Sequence, residues 1–245
     1  LTEWKKLNNI TDFSEIDDRL EHLFDAPEET TPPRLNLPKE FISLTNNNLP
    51  FSSAAAKSYL NKRQINKKDI LYWKIGYCPK GQYAGRIIIP SFDMKGNVNY
   101  FIARAYDGNW KKYFNPEVPK SKIIFNELYV DFTKPVTIVE GAFDAIVSGE
   151  NSVPVLGSTL SENSRLFQKI IQNNSTIYMA LDPDATQKTN SIVEKLLRYG
   201  IETYIIDVSG FKDVGEMTRE QFKERKSSAK QVNDSLSLLI NNIKF

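Results

Sequence analysis

The sequence is almost without cysteine and histidine: among 245 residues, Cys78 is the single cysteine and His22 the single histidine. One cysteine excludes an internal disulfide and fits a reducing compartment. The two residues together cannot build a cysteine-rich structural zinc site, so no zinc is expected in this chain. Cys78, within Ile75-Gly76-Tyr77-Cys78-Pro79, reads as a packed, inert thiol, and His22, in the acidic stretch Glu15–Phe24, as a surface residue. No apolar run approaches the roughly 20 residues of a membrane span, and no signal peptide is visible, so no membrane partner is expected. A Gly-x-x-x-x-Gly-Lys-Ser/Thr loop is also missing, which excludes a fused P-loop motor. There is no internal repeat and no low-complexity tract. Leucine at position 1 reads as the start of a fragment or trimmed chain.

What is present is ordinary in amount and uneven in placement. With 40% hydrophobic and 25% charged residues, the chain can bury a sizeable core in one or two domains. Net charge is only +2, yet residues 1–50 carry 5 basic and 10 acidic side chains, whereas residues 57–122 carry 14 and 4. The basic block is interleaved with aromatics, among them Tyr59, Tyr72, Trp73, Tyr100, Trp110 and Tyr113. Such a mixture suits the phosphates and exposed bases of a single strand. A solvated lysine surface over an aromatic core would look the same in composition.

Two patterns divide the chain. Residues 1–26 read as one or two amphipathic helices with Thr11 or Ser14 as N-cap, and the proline-rich Ala26–Pro38 as a linker or extended arm. Short helices are predicted over Ser53–Asn61 and Lys67–Trp73, then strands over Arg86–Ser91, Val98–Ala105 and Lys112–Asn115. Met94–Asn97 forms a hairpin turn between the first two strands. From Val136 strands alternate with helices: strand Val136–Val139, helix Ala142–Ser148, strand Val153–Leu156, helix Glu162–Ile171, strand Ile177–Leu181, helix Thr189–Tyr199 and strand Thr203–Asp207. This alternation predicts an α/β fold: a mostly parallel sheet, helices on both faces, ligands at the carboxyl ends of the strands. Residues 216–245 read as a helical tail.

The acids stand where such a sheet would gather them. The strand Val136–Val139 stops on Glu140-Gly141, and Ile177–Leu181 stops on Asp182-Pro183-Asp184. Glycine after Glu140 permits a sharp turn into the next helix, one turn into which lies Asp144. A third cluster, Lys212-Asp213-Val214-Gly215-Glu216, follows the last strand. Carboxylates at adjacent strand tips repel unless a cation lies among them, and oxygen donors suit Mg2+ or Mn2+ better than zinc or copper. Metal-assisted phosphate chemistry follows. The competing reading of these acids is helix capping and surface charge.

Glu140–Ile146 with Leu181-Asp182-Pro183-Asp184 resembles the Toprim domain of DnaG-type primases, topoisomerases and certain nucleases. The upstream segments select among these. Ala56–Pro79, Gly85–Pro90, Phe101–Arg104, Lys112–Glu117, Phe125–Tyr129 and Leu156–Leu160 resemble, in order, segments of the bacterial and phage primase catalytic core, over about residues 50–220. The resemblance implies synthesis of short RNA primers from NTPs on a single-stranded DNA template. It makes Glu140, Asp182 and Asp184 catalytic, and Glu140, Asp182, Asp184 and Asp213 ligands of two or more Mg2+ or Mn2+ ions. Arg86, Arg104, Lys112 and Asn115 become nucleotide or template contacts, with Asp144, Lys122, Lys212 and Glu216 as additional candidates. The family's second acid in the third cluster falls here on Gly215, leaving Glu216 to substitute or that position weaker. The family's lysine before Phe125 falls near Ile124, with Lys120 and Lys122 close by.

The implied organisation is an acidic helical segment and proline-rich linker (1–49), a basic nucleic-acid-binding subdomain (50–130), a Toprim domain (131–210) and a helical C-terminal segment (211–245). A replicative helicase and a zinc-binding module, encoded upstream or in trans, are the implied partners. The implied location is the cytoplasm of a bacterial or phage-infected cell. Two other functions fit parts of the sequence: a Toprim-type metal-dependent nuclease, and a non-catalytic single-strand-binding module.

Overall fold

A computed structural model describes residues 34–157 and 160–234. The helices expected before residue 27 lie outside the described residues, as does the end of the tail from 235 onward.

The first half is a four-stranded antiparallel sheet in the order β1 (Ile42–Ser43), β2 (Gly76–Cys78), β3 (Arg86–Phe92), β4 (Val98–Ala105). Helices α1 (Ser53–Lys62) and α2 (Lys67–Tyr72) are inserted between β1 and β2. Asn66 starts α2 by accepting from the backbone N–H groups of Lys68 and Asp69, while Asp69 accepts from Asn66 N–H. The β3 and β4 side chains are buried on both faces, which is why Ile87-Ile88-Ile89 shows no alternation. Ile87, Ile89, Tyr100 and Ile102 enter the main core, whereas Cys78, Ile88, Phe101 and Ala103 pack under Leu37, Phe41 and Tyr83. Cys78 is buried as expected, and burial pushes its thiol up to about 12. Gly76 is irreplaceable for reasons of space, since a Cβ there would stand 2.2 Å from the Phe41 ring. The hairpin turn forms as predicted: Asp93 N–H donates to Asn97 O, and the Asp93 carboxylate accepts from Lys95 and Asn97 N–H.

The second half is a five-stranded sheet containing β5 (Val136–Val139), β6 (Ser152–Pro154), β7 (Ile177–Ala180), β8 (Thr203–Ile205) and β9 (Lys230–Val232). Their spatial order is β6-β5-β7-β8-β9, parallel throughout except for the antiparallel edge strand β9. Helices α3 (Ala142–Ser148), α4 (Arg165–Asn173), α5 (Thr186–Arg198) and α6 (Arg219–Ser227) connect or flank the strands. Because the chain leaves β5 for β6 on one side and later returns to β7 on the other, strand order reverses between β5 and β7. In an open α/β sheet that point leaves a crevice outside the strand carboxyl ends.

Several expected elements differ, among them α5, which starts at Thr186 rather than Thr189. Helix α4 starts at Arg165 rather than Glu162, because Ser164 supplies the cap, its hydroxyl accepting from Phe167 N–H at 3.3 Å. Lys112–Asn115 is no strand: Arg104 and Tyr113 form an isolated bridge, and the Asn115 side chain takes the N–H of Ala103 that a continuing strand would use. Among the described residues the helical tail holds for α6 alone, since residues 230–232 form β9 against β8.

The two sheets share their principal core. Ile87, Ile102 and Phe125 from the first half belong to one buried cluster with Val139, Phe143, Val214 and Met217 from the second. Two ion pairs cross the same boundary. Arg165 reaches Glu127 with both Nε (3.3 Å) and Nη2 (2.9 Å), and Arg219 Nη2 lies 2.6 Å from Asp69 Oδ1.

Candidate active site

Glu140 is the residue after β5, and Asp182 follows β7 by two positions, so the switch point places both at one crevice. Glu140 leads into α3 through Gly141, whose N–H donates to Asp144 Oδ2 at 2.7 Å. The other oxygen of Asp144 accepts from Gly215 N–H at 2.9 Å. Asp144, treated in the sequence as a secondary candidate, is thus buried at 7% exposure and ties the β5 turn to the Asp213–Gly215 loop. That tie draws Asp213 toward the same crevice.

The electrostatics of this cluster are unfavourable as they stand. Burial, and then the neighbouring charges of Asp144, Glu140, Asp213 and Asp184, raise Asp182 to about 7. Burial followed by Asp213 raises Asp144 to about 6, against the lowering effect of its two backbone hydrogen bonds. Glu140 Oε2, Asp182 Oδ1 and Asp213 Oδ1 are buried without a hydrogen-bond partner among the described residues. A buried oxygen with no donor costs about 1–3 kcal/mol, more when charged, so three at one crevice are a deficit that positive charge would relieve. Hard oxygen donors with free lone pairs fit a hard divalent cation. Among the described residues no group of three acidic, His or Cys side chains is closed up as a ready ion cage. Glu140 is instead paired with a side-chain cation, Lys188 Nζ lying 2.7 Å from Glu140 Oε1.

The remaining acids of this region stand apart from the cluster's interior. Asp184 is exposed in the turn Pro183–Ala185 and contributes only the smallest charge effect on Asp182. Glu216 is exposed, and its carboxylate accepts from Lys212 N–H at 3.1 Å, closing its own turn rather than filling the place of a second acid. Lys212 is exposed beside it. Gly215 itself leaves little room for a side chain, since a Cβ would lie 3.0 Å from Asp144 Oδ1 and 3.2 Å from Asp213 Oδ1, so those carboxylates would have to give by a few tenths of an ångström. Asp144 cannot yield without losing its two backbone donors. Gly215→Ala is therefore expected to cost about 1–3 kcal/mol, read as a lowered midpoint in thermal unfolding. An unchanged midpoint would mean that Asp144 is not pinned.

The basic candidates divide into contacts and supports. Arg104 Nε donates to Tyr59 Oη at 3.0 Å and its guanidinium covers the Tyr113 ring at 4.6 Å. Arg63, missed in the sequence, donates to the same Tyr59 Oη at 2.9 Å and covers Phe143 at 4.7 Å. Phe143 adjoins Asp144 in α3, so Arg63 directly, and Arg104 through Tyr59, reach the helix that carries Asp144. Neither is in an ion pair among the described residues. Their signal was present: Tyr59 and Arg63 are four apart at the end of α1 and so share a face. Lys112 and Lys122 are exposed. Lys120 Nζ is used across the boundary, donating to Leu156 O at 2.7 Å. Arg86 differs from expectation: it is only 5% exposed, lies over Phe114 and donates to Lys112 O at 3.4 Å. Asn115 likewise holds the chain in place through Ala103 N–H. Both side chains are spent fastening residues 112–115 to the sheet. Lys188, the other residue missed, lies four positions after Asp184 in the first turn of α5.

No family model matches the chain. It is 26% identical over 217 residues to a DNA primase of Thermotoga maritima, covering 69% of this chain and 38% of that protein. It is 32% identical over 150 residues to a DNA primase of Mycoplasma pneumoniae, covering 55% and 24%. A DnaG primase catalytic domain bound to single-stranded DNA superposes with a TM-score of 0.65 at 17% identity, over 78% of this chain and 76% of that one. The Escherichia coli primase catalytic core gives 0.62 at 18% identity, over 78% and 77%. The fold is that of a DnaG-type primase core. The chain spans 38% or less of those two curated primases, but about three quarters of these solved cores, so the match is to a catalytic core rather than to a whole primase. The α/β architecture, with a mostly parallel second sheet, is the one expected from the motif order.

Proposed function

We propose that this chain is the primer-synthesising core of a DNA primase, joining NTPs into short RNA on a single-stranded DNA template. The observation carrying this reading is the set of oxygens on Glu140, Asp182 and Asp213 that have no hydrogen-bond partner among the described residues, at the β5/β7 switch point, with Arg63 and Arg104 gathered on Tyr59 in the basic half. Its functional parts are the basic half (50–130) and the Toprim half (131–210). Glu140, Asp182 and Asp213 would hold Mg2+ or Mn2+, with Asp184 at the rim. Such ions, when bound, lower the pKa of an attacking 3′-hydroxyl and neutralise a pyrophosphate leaving group.

The chain's own residues do the positioning. Asp144 holds the Gly141 and Gly215 backbone so that Glu140 and Asp213 face one crevice. Tyr59 holds the Arg63 and Arg104 forks, which suit the oxygens of a triphosphate or template phosphate. Exposed Lys112 and Lys122 add point charges along the approach. Glu140 is the candidate base for the hydroxyl proton, and Lys188 is poised to stay with it or move aside.

The reading calls for a template-selecting zinc module and a replicative helicase as partners, in a bacterial or phage-infected cytoplasm. Among the described residues no helix is long and apolar enough to cross a membrane. The test is incubation with single-stranded template, NTPs and Mg2+, with a zinc-binding primase module supplied in trans. Template-dependent oligoribonucleotides are expected. Template shortening without NTPs would instead mark a nuclease, and binding that survives Glu140→Gln with no incorporation by wild type would mark a binding module.

A further inference from the structure

Trp110 is 90% exposed, which is costly for the largest apolar side chain and calls for a use. It sits in a built turn rather than a loose one. Asn109 N–H donates to Asp107 Oδ1 at 3.0 Å, Lys111 N–H to Asn109 Oδ1 at 2.9 Å, and Lys112 N–H to Trp110 O at 3.1 Å. Ala105 N–H then donates to Lys112 O at 2.9 Å, so the turn is laced to the end of β4. The indole is therefore presented by an ordered backbone.

Its surroundings indicate what it meets. Lys111 and Lys112 follow it and are exposed. Tyr113, 44% exposed, has Arg104 over its ring. Arg104 in turn donates to Tyr59, which lies edge-on to Phe143 at 6.3 Å, the residue before Asp144 in α3. Phe51, 96% exposed, offers a contrast, for it has no basic neighbour within three positions and joins no such line.

We propose that Trp110, with Tyr113, is a base-stacking platform that receives a nucleotide of the single-stranded template as it runs toward the acidic crevice. This rests on the primase reading and adds a residue to it. Aromatic stacking tolerates any base, because every base has a π-face, while the lysines take the phosphates.

The test uses the full chain and a fluorescently labelled dT15. Trp110→Ala is expected to weaken binding roughly tenfold, within the range of one lost base stack, with an unchanged slope of log affinity against log salt. Lys111→Ala or Lys112→Ala should lower that slope by about one. Wild type should prefer dT15 to an abasic strand of equal length, and Trp110→Ala should lose part of that preference. In a Trp4→Phe background, Trp110→Phe should keep the affinity but abolish most of the DNA-induced quenching of tryptophan emission, since Trp73 is buried against Phe125. Equal affinity, base preference and quenching in all three proteins would overturn the platform and leave the primase reading standing. Failure of wild type to bind dT15 at all would overturn both.

Discussion

Glu140→Gln is expected to lower primer synthesis by at least about 10²–10³-fold, the scale at which loss of one preorganised charge in a reaction site is felt. The protein should stay folded. Glu140 Oε2 has no hydrogen-bond partner among the described residues, so the substitution breaks nothing at that atom, and the amide oxygen can still accept from Lys188. What disappears is a negative charge near Asp182 that, in the proposed site, would help hold the ions. Asp182→Asn should lose activity to a similar degree, with a different stability signature. Its oxygen is buried and surrounded by four other carboxylates, so neutralising it removes repulsion and should raise the metal-free melting midpoint near pH 8. Circular dichroism and calorimetry on the same preparations separate lost chemistry from lost structure. Full turnover by Glu140→Gln would end its assignment as ligand or base.

The second large effect is on stability against pH, and its sign comes from the raised acids. In the folded protein Asp182 titrates near 7 and Asp144 near 6, both above the ordinary aspartate value of 3.8. Between about pH 4 and 7 the folded state therefore keeps protons that the unfolded chain has released. Stability falls with rising pH wherever the native state binds more protons. Metal-free protein should accordingly lose stability from these two groups as pH climbs through 4 to 7, and be least stable above about 7. A divalent cation binds the ionised form, so it should reverse that loss. At an ion concentration 100 times its dissociation constant, linkage gives about 2.7 kcal/mol. For a chain of this size that is a rise of roughly 5–10 °C in the melting midpoint. The rise should be large at pH 8, small at pH 5, and greatly reduced in Asp182→Asn. An equal shift at both pH values would mean the ion stabilises the protein elsewhere.

Both predictions rest on residues whose type and place were legible in the chain. An apolar run that ends on an acid identifies a parallel strand and its tip at once, which is why Glu140 and Asp182 could be found without coordinates. Glycine at 141 and the hairpin at 94–97 were legible for the same local reason. The relation of these acids to Asp144 was not, because the hydrogen bond from Gly215 N–H joins residues 71 positions apart. Arg86 shows the limit most clearly. In a basic stretch it reads as a phosphate contact, and only the packing of Phe114 and the carbonyl of Lys112 reveals it as buried. Strand β9 gave no signal either. Three residues, Lys-Gln-Val, carry no alternation to distinguish an edge strand from the end of a helix, and only pairing with Thr203–Ile205 defines it. Lys188 was passed over because a lysine in the first turn of a helix is usually solvent-facing, whereas here it is drawn inward by Glu140.

If the carboxylates at the β5/β7 switch point hold a divalent cation, crystals soaked in Mn2+ with an NTP should show anomalous density within ligating distance of Glu140 and Asp182, with Lys188 displaced from Glu140 or sharing it. Saturating Mn2+ with no density there, or density only at other carboxylates while Glu140 remains paired to Lys188, would contradict that reading.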